Sequence, residues 1–264
     1  MNTKVFGFVG VECYDIIYYT AKVATNLGFK CIMVDLAKDG ALSYLYQGTF
    51  SAGEVVNVND IDLIKGPLET GSLAGYDYVF ISYERTPLPL ELCHELYFAA
   101  TFQRNDIYWL KNLKVPDVAR FLIVRDRAAS SMSYKYILKE LPNLEISEDD
   151  IYALEDTEDD IAAKIYLQHS MKTKLSRLST SIRDLVEHLL DIDSDKKQLN
   201  AAWTALKKGY NKCILFLGLG CLGMLLYLAA CFLLLVIAQG IRSPLLEFCR
   251  HSIRRIIFST HFSN

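Results

Sequence analysis

The residues best placed to do chemistry form a turn: Gly10, Val11, Glu12, Cys13, Tyr14 and Asp15. It follows the apolar run VFGFVG (Val5 to Gly10) and precedes IIYYTAKVATNLG, which ends at Gly28. A glycine turn that opens a helix after a buried strand can hold a phosphate, through backbone N–H groups and the positive end of the helix dipole. Phosphate chemistry there needs G-x-x-x-x-G-K-[ST], in which the lysine neutralises the phosphates and the hydroxyl holds Mg²⁺. This turn has no lysine and no Ser or Thr. It places two carboxylates, Glu12 and Asp15, where phosphates would sit, and both suit the helix dipole themselves. The scaffold of a phosphate site is present without its ligands, so no cofactor and no metal is expected.

Other chemistry-bearing residues read as structure. The five histidines form no H-x-H or H-E-x-x-H pattern, and His94 and His188 fall on predicted helices. Ser130, Ser131 and Ser133 read as loop and N-cap residues before a helix. Gly218, Gly220 and Gly223 spell G-x-G-x-x-G, but inside an apolar stretch with no strand before it. There, Gly220 and Gly223 read as a small-residue face for membrane-helix packing. Seven cysteines form no C-x-x-C pair, and their odd number cannot close fully into disulfides within one chain. Residues 145–160 hold nine acids (Glu145, Glu148, Asp149, Asp150, Glu155, Asp156, Glu158, Asp159, Asp160) without the turn glycine of a calcium loop, so a solvated loop and helix start is expected. A net charge of −3 argues against a nucleic-acid partner.

The elements that would position the turn alternate along residues 1–190. KCIMVDL (Lys30 to Leu36), YDYVFISY (Tyr76 to Tyr83), DVARFLIVRD and IYALED read as strands, and EVVNVNDIDLI can supply a short one. Asp15 is expected to cap the first helix, with Gly28 just past its end. Leu90 to Leu113 reads as a second helix carrying Tyr97, Phe98, Phe102, Tyr108 and Trp109, core on one face. MSYKYILKEL, DDIAAKIYLQ and Lys174 to Leu190 supply further helices. Continuous apolar strands separated by helices predict an α/β domain whose mainly parallel sheet is covered on both faces.

Residues 191–212 read as a polar linker or helix. Cys213 to Gly240 then carries no charge over about 28 residues, where about 20 suffice to cross a bilayer. A single C-terminal transmembrane helix is predicted, followed by a basic amphipathic tail over 241–264 with Arg250, Arg254 and Arg255. Lysines 207, 208 and 212 before the span and arginines 242, 250, 254 and 255 after it balance the positive-inside rule. The strand-like N-terminus has no signal-peptide pattern and the cysteines suit a reducing compartment, so the N-terminal domain is expected in the cytoplasm.

The order and spacing of these pieces resemble the ParA/MinD superfamily of deviant P-loop ATPases, including its septum-site and Tad-pilus localisation members, over roughly residues 3 to 190. KCIMVDLAKDGALSYL resembles the family's second strand and the run after it. YDYVFISY resembles its Walker B strand "YDYIIID", FLIVRDRAASSMSYKYILKEL its later strand and helix beside the base, and IYALEDTEDDIAAKIYLQHS its "LPxDxxxxxA" segment. The resemblance implies an ATPase fold whose site is mostly gone. The phosphate lysines and the Mg²⁺ hydroxyl have no match between Gly10 and Asp15. Asp35 matches the first aspartate after the second strand, the water-orienting aspartate falls on Ala37, and the Walker B aspartate falls on Ser82, with Asp77 kept earlier in that strand. Transition-state charge on phosphate needs Lys and Mg²⁺, so no hydrolysis is expected from the vestigial set Gly10, Glu12, Asp15, Asp35, Asp39 and Ser82.

These readings combine into a membrane-tethered, non-catalytic scaffold or positioning factor on the inner face of a bacterial membrane. By analogy with the family, it would serve pilus or secretion-system assembly. Its expected partners are the lipid bilayer, proteins of a membrane assembly and a constitutive second copy. A rival reading is a membrane-bound ATPase whose phosphate lysine comes from Lys38 or a partner subunit, kept open by Asp35 and Asp39. A third is a membrane-anchored receptor or signalling module that uses the sheet's C-terminal edge for another ligand.

Overall fold

Apolar runs too hydrophobic to alternate dictate the centre of this protein. In the computed structural model, which describes residues 3–38, 40–67, 73–86, 90–126, 133–169, 178–190 and 197–206, these runs are strands buried on both faces. They are β1 (Lys4–Gly10), β2 (Cys31–Asp35), β5 (Tyr78–Glu84), β6 (Glu95–Ala100) and β7 (Ala119–Val124). With β3 (Val55–Val58), β4 (Ile61–Lys65) and β8 (Ile151–Ala153) they form one sheet, in the order β3-β4-β2-β5-β1-β6-β7-β8. Every pairing is parallel except β3 with β4. Residues 1–210 make up one compact unit.

Helices cover both faces. Helix α1 (Tyr14–Asn26), α4 (Glu158–Gln168), α5 (Thr180–Leu190) and α6 (197–206) share one core with Phe6, Phe8, Phe80 and Tyr97 of the sheet. Helix α2 (Arg104–Lys111) and α3 (Tyr134–Glu140) cover the other face, where Ile107, Leu110 and Ile137 meet Val79, Ile81 and Phe98. Helix α1 is buried from Tyr14 through Ala24. A helix apolar nearly all round needs a second layer outside it, and α5 and α6 supply one: Asn26 Nδ2 donates to the Ala202 carbonyl at 3.0 Å. Cross-strand rings bind the sheet on this face, with centroids 5.3 Å apart for Phe6 and Phe80 and 4.8 Å for Tyr97 and Phe121.

Three local readings of the sequence are corrected. Residues 90–113 are not one helix: Glu95–Ala100 is β6, between β1 and β7, and only Arg104–Lys111 is helical. The run ELYFAA is apolar because each face of a central strand meets a helix layer, a pattern that periodicity cannot tell from a buried helix. The segment EVVNVNDIDLI gives two strands, joined at Asn59 and Asp60 with φ of 52° and 71°. Left-handed conformations at both turn residues match a tight hairpin, and Asn and Asp tolerate them. Lys22 of α1 clamps this turn, donating to the Asn59 carbonyl at 2.6 Å and to Asp60 at 3.0 Å. Lastly, Cys13 rather than Asp15 occupies the N-cap of α1, and Asp15 lies inside the first turn. Gly28, at φ 97°, follows the C-cap Leu27 as expected.

Among the described residues no helix is long and apolar enough to cross a membrane. The predicted span Cys213–Gly240, the tail 241–264, Asp39, Ser130, Ser131, Gly220 and Gly223 lie outside the described residues.

Candidate functional site

The carboxyl ends of β1, β5, β6 and β7 converge on a cleft of about 420 Å³. From β1 the chain runs through α1 toward β2 on one side, whereas β6, β7 and β8 lie on the other, so the cleft stands where the strand order reverses. Open α/β sheets bind ligands at such a switch point. Gly10, Val11 and Glu12 form one wall, Glu84, Arg85 and Thr86 a second, and Thr101, Gln103 and Asp106 a third. Arg125, Asp126, Lys164 and Lys38 complete it.

The turn between β1 and α1 contains only Val11, Glu12 and Cys13. Two of its main-chain groups are held by other strands. The Val11 N–H donates to the Ala99 carbonyl at 2.9 Å, and the Glu12 carbonyl accepts from Arg125 Nη1 at 3.2 Å. Gly10 holds φ 115°, and a Cβ there would stand 2.0 Å from the Ala99 carbonyl oxygen, so the strand end needs a glycine. A phosphate-binding turn curls its N–H groups around an anion; this one is short, lies against β6 and turns a carbonyl inward.

Arg125, the residue after β7, explains that carbonyl. Its guanidinium is 3 % exposed and donates to both carboxylate oxygens of Asp15, at 2.6 and 2.8 Å. It also donates to Asp156 at 3.2 Å, and Asp156 accepts the Asp126 N–H at 3.0 Å. One cation thus ties β7 to the turn, to the first turn of α1 and to the lead-in of α4, in the fork geometry that suits carboxylates. Burial alone would raise the Asp15 pKa, but the Arg125 charge and hydrogen bonds outweigh it and hold the carboxyl below its ordinary range. The same pair keeps Arg125 protonated against its own burial. Beside them, burial pushes the Cys13 thiol up to about 12, which leaves it without nucleophilic character at neutral pH.

A second buried network closes the opposite wall. Asp106 of α2 accepts from Arg85 on one oxygen and from the Thr101 hydroxyl on the other, while Thr101 accepts the Gln103 N–H at 3.0 Å. Lys164 Nζ lies 3.8 Å from Glu12 and 5.5 Å from the Tyr14 ring. The lining therefore offers four cations, Lys38, Arg85, Arg125 and Lys164, against four anions, Glu12, Glu84, Asp106 and Asp126. Asp15 and Asp156 beneath them tilt the site negative, which disfavours a polyanion.

The structure places the sequence-derived site residues in three groups. Gly10 and Glu12 line the cleft, and Asp15 lies behind its wall on Arg125. Asp35 and Ser82 are buried outside the lining. Asp35 accepts from the Ser43 N–H at 2.7 Å, the Ser43 hydroxyl at 2.5 Å and the Ala37 N–H at 3.2 Å, and so fixes the short 3-10 helix Ala41–Leu45. Asp77 sits at the other end of the sheet, accepting from the Lys30 N–H at 2.8 Å. His94 precedes β6 rather than lying on a helix, and its Nδ1 accepts the Val5 N–H at 3.0 Å. Two members of the acidic cluster are not solvated: Asp156 pairs with Arg125, and Asp160 is buried in the capping box of α4 with Thr157. Among the described residues, no group of three or more His, Cys, Asp and Glu is arranged to hold a metal ion. Sequence reasoning missed Arg125, whose signal was an arginine directly after the apolar run FLIV.

This architecture is that of a P-loop NTPase-like α/β protein, similar in fold to ATPases of the ParA/MinD group. A ParA family ATPase from Chlorobium tepidum TLS superposes over 71% of this chain and 98% of its own, at 18% identity and a TM-score of 0.53. A chain of the MinC:MinD cell division protein complex of Aquifex aeolicus does so over 73% and 98%, at 11% identity and a TM-score of 0.52. No family model matches the chain, and no curated protein matches it in sequence. At these identities the likeness establishes the fold alone.

The fold implies a nucleotide with Mg²⁺ at the cleft, and the residues present do not fit one. The turn lacks a lysine and a hydroxyl, its inward main-chain group is an acceptor, and Arg125 is neutralised by Asp15 and Asp156.

Proposed function

We propose that this protein is a ParA/MinD-fold scaffold that works without hydrolysing ATP, tethered to the inner face of a bacterial membrane through Cys213 to Gly240. The observation that carries this reading is the Arg125–Asp15–Asp156 network, which commits the guanidinium donors to carboxylates of the same fold instead of leaving them for phosphate. A domain whose nucleotide corner is held by internal ion pairs has one stable conformation and no nucleotide-driven switch. Such a domain serves as a fixed platform, and the uncharged span supports a membrane address. Positioning or assembly of a membrane apparatus, of the pilus or secretion-system kind, is the role consistent with both.

The test is nucleotide binding and turnover with the full chain in detergent. A fluorescent ATP analogue with Mg²⁺ should show no saturable binding, and phosphate release should equal the protein-free blank. Magnesium-dependent turnover that disappears in Lys38→Ala would overturn the proposal in favour of an ATPase using Lys38, the exposed lysine at the cleft. The cleft itself supports a second reading, a membrane-anchored receptor whose ligand is small and polar and carries no net negative charge, to match a lining of both signs above Asp15 and Asp156.

A further inference from the structure

The charged groups of the cleft are sorted by sign where they reach solvent. Lys38 and Arg85, on the side of β2 and β5, are exposed. Glu12 and Asp126, just past the ends of β1 and β7, are the exposed carboxylates of the lining. The groups of opposite sign on each side are withdrawn. Glu84 is half-buried, Asp106 is buried on Arg85, and Arg125 is buried between Asp15 and Asp156. Lys164 is half-buried and stays 3.8 Å from Glu12, too far for a hydrogen bond. A ligand entering the cleft therefore meets cations at one end and carboxylates at the other.

Backbone conformation marks the same two ends. Among the described residues, five that are not glycine hold a positive φ. Asn59 and Asp60 form the hairpin turn, and Glu145 caps a 3-10 helix. The other two, Glu84 at 47° and Asp126 at 50°, both line the cleft. Glu84 lies in a tight turn, with the Thr86 N–H donating to the Tyr83 carbonyl at 2.9 Å, where glycine or asparagine is the ordinary residue. Strain of this kind gathers at ligand sites. The turn also sets Thr86 against the loop after β2: its hydroxyl accepts the Lys38 N–H at 3.1 Å and keeps its own proton to donate.

We propose that the cleft binds a small zwitterion, with a carboxylate held by Lys38, Arg85 and the Thr86 hydroxyl, and an ammonium held by Asp126 and Glu12. A simple anion would have to lie over Asp15 and Asp156, and a simple cation would have to lie beside Lys38 and Arg85. A molecule with both charges satisfies each end. The ends of β5 and β7 are three strand spacings apart, about 14 Å. Once side chains from both walls have taken their share, one or two residues of extended chain fit, roughly 3.5–7 Å long. The cleft volume of about 420 Å³ suits an amino acid or a short peptide. The proposal rests on the second reading above, a cleft open to a small polar ligand, and is independent of the membrane tether.

The experiment is calorimetric titration of the full chain in detergent with the standard amino acids singly, with dipeptides such as glycylglycine, and with glucose and inositol as uncharged polar probes. At least one amino acid or dipeptide should bind saturably, and which set binds separates free amino acids from the chain ends of short peptides. Its methyl ester, which lacks the carboxylate, and its N-acetyl form, which lacks the ammonium, should each bind at least tenfold more weakly, the loss of one charge-assisted hydrogen bond. If glucose or inositol binds while every amino acid and dipeptide fails, the receptor reading stands and the zwitterion is overturned. If no probe binds, both fall.

Two variants assign the ends. Lys38→Ala should weaken the zwitterion about tenfold and leave its methyl ester unchanged. Asp126→Asn, which suits the left-handed φ, should weaken the zwitterion and leave its N-acetyl form unchanged. A variant that weakens all forms alike acts through the fold, and that result overturns the assignment.

Discussion

Arg125 and Asp15 lie 110 residues apart in the sequence and meet by two hydrogen bonds, 2.6 and 2.8 Å long, behind the turn between β1 and α1. Their pairing makes a structural joint between β7 and the first turn of α1. In low-dielectric surroundings a charge is tolerated only with its partner, so each residue maintains the other.

Removing both partners should therefore cost less than the sum of removing each. Asp15→Leu or Arg125→Met alone is expected to destabilise the domain by about 3–5 kcal/mol, because a buried charge loses its closest partner. The double variant should fall short of the sum by roughly 1–3 kcal/mol. Urea unfolding of the four proteins measures this coupling, and additive losses would remove Arg125 from its role as the joint.

Acid should attack the same joint. The folded Asp15 pKa is depressed, so its stabilisation is fully present above the unfolded value of about 3.9 and is lost as pH falls through the lower folded value. Wild-type stability should drop below about pH 4, and a chain with Asp15→Leu and Arg125→Met should show a shallower drop. Equal acid slopes would assign the loss to other carboxylates.

Asp35 should behave in the opposite sense. Burial raises its pKa despite the hydrogen bonds from Ser43 and Ala37 and the charge of Lys65. Its contribution is therefore complete below about 3.9 and fades as pH rises through the raised folded value. The stability gap between wild type and Asp35→Asn should narrow between acidic and neutral pH. Asp35→Ala is expected to cost about 1–3 kcal/mol through the orphaned Ser43 groups, without altering any nucleotide signal. A widening gap would show that Asp35 stays ionised.

Gly10→Ala tests the packing of the turn on β6. Left-handed strain alone is worth about 1–3 kcal/mol, and the 2.0 Å approach to the Ala99 oxygen must be relieved by moving a strand. Thermal unfolding should shift down by several degrees. A neutral result would mean that β1 and β6 separate at this end.

Membrane association is expected to depend on Cys213 to Gly240. Each central Leu, Ile or Phe favours insertion by roughly 0.3–0.6 kcal/mol, and no charge in the segment opposes them. Carbonate extraction should leave the full chain in the pellet and release one ending at Lys208. Release of the full chain would mark the segment as peripheral.

The strands β1, β2, β5, β7 and β8 were legible because each is a compact apolar run closed by a turn residue or a polar stretch. Helix α4 was legible from its acidic start, and its capping box with Thr157 and Asp160 supplies the physical reason. Strand β6 was not, because ELYFAA lies between Cys93 and Thr101 without a glycine or proline to set its length. The β3–β4 hairpin hid because its turn is Asn59-Asp60 rather than Asn-Gly. At the site, the absence of a lysine from the turn was plain in the sequence, while the ion pair of Asp15 with Arg125 was not. The contact between Asp15 and Arg125 spans 110 residues, and local pattern holds no record of it.

The position of β1 in the sheet also bears on how the chain is made. The first strand to leave the ribosome sits between β5 and β6, so residues 4–10 have no sheet partner until residues 78–100 have emerged. Until then an apolar strand with two unpaired edges is exposed during synthesis, the state most open to misassociation. Domains are made at about 5–20 residues per second, so that window lasts some seconds. Strand β1 thus gains both its partners more than a hundred residues before Cys213 to Gly240 arrives. That interval lets the centre of the sheet pair before the most hydrophobic segment appears, and slowing translation after residue 100 should raise the yield of folded chain.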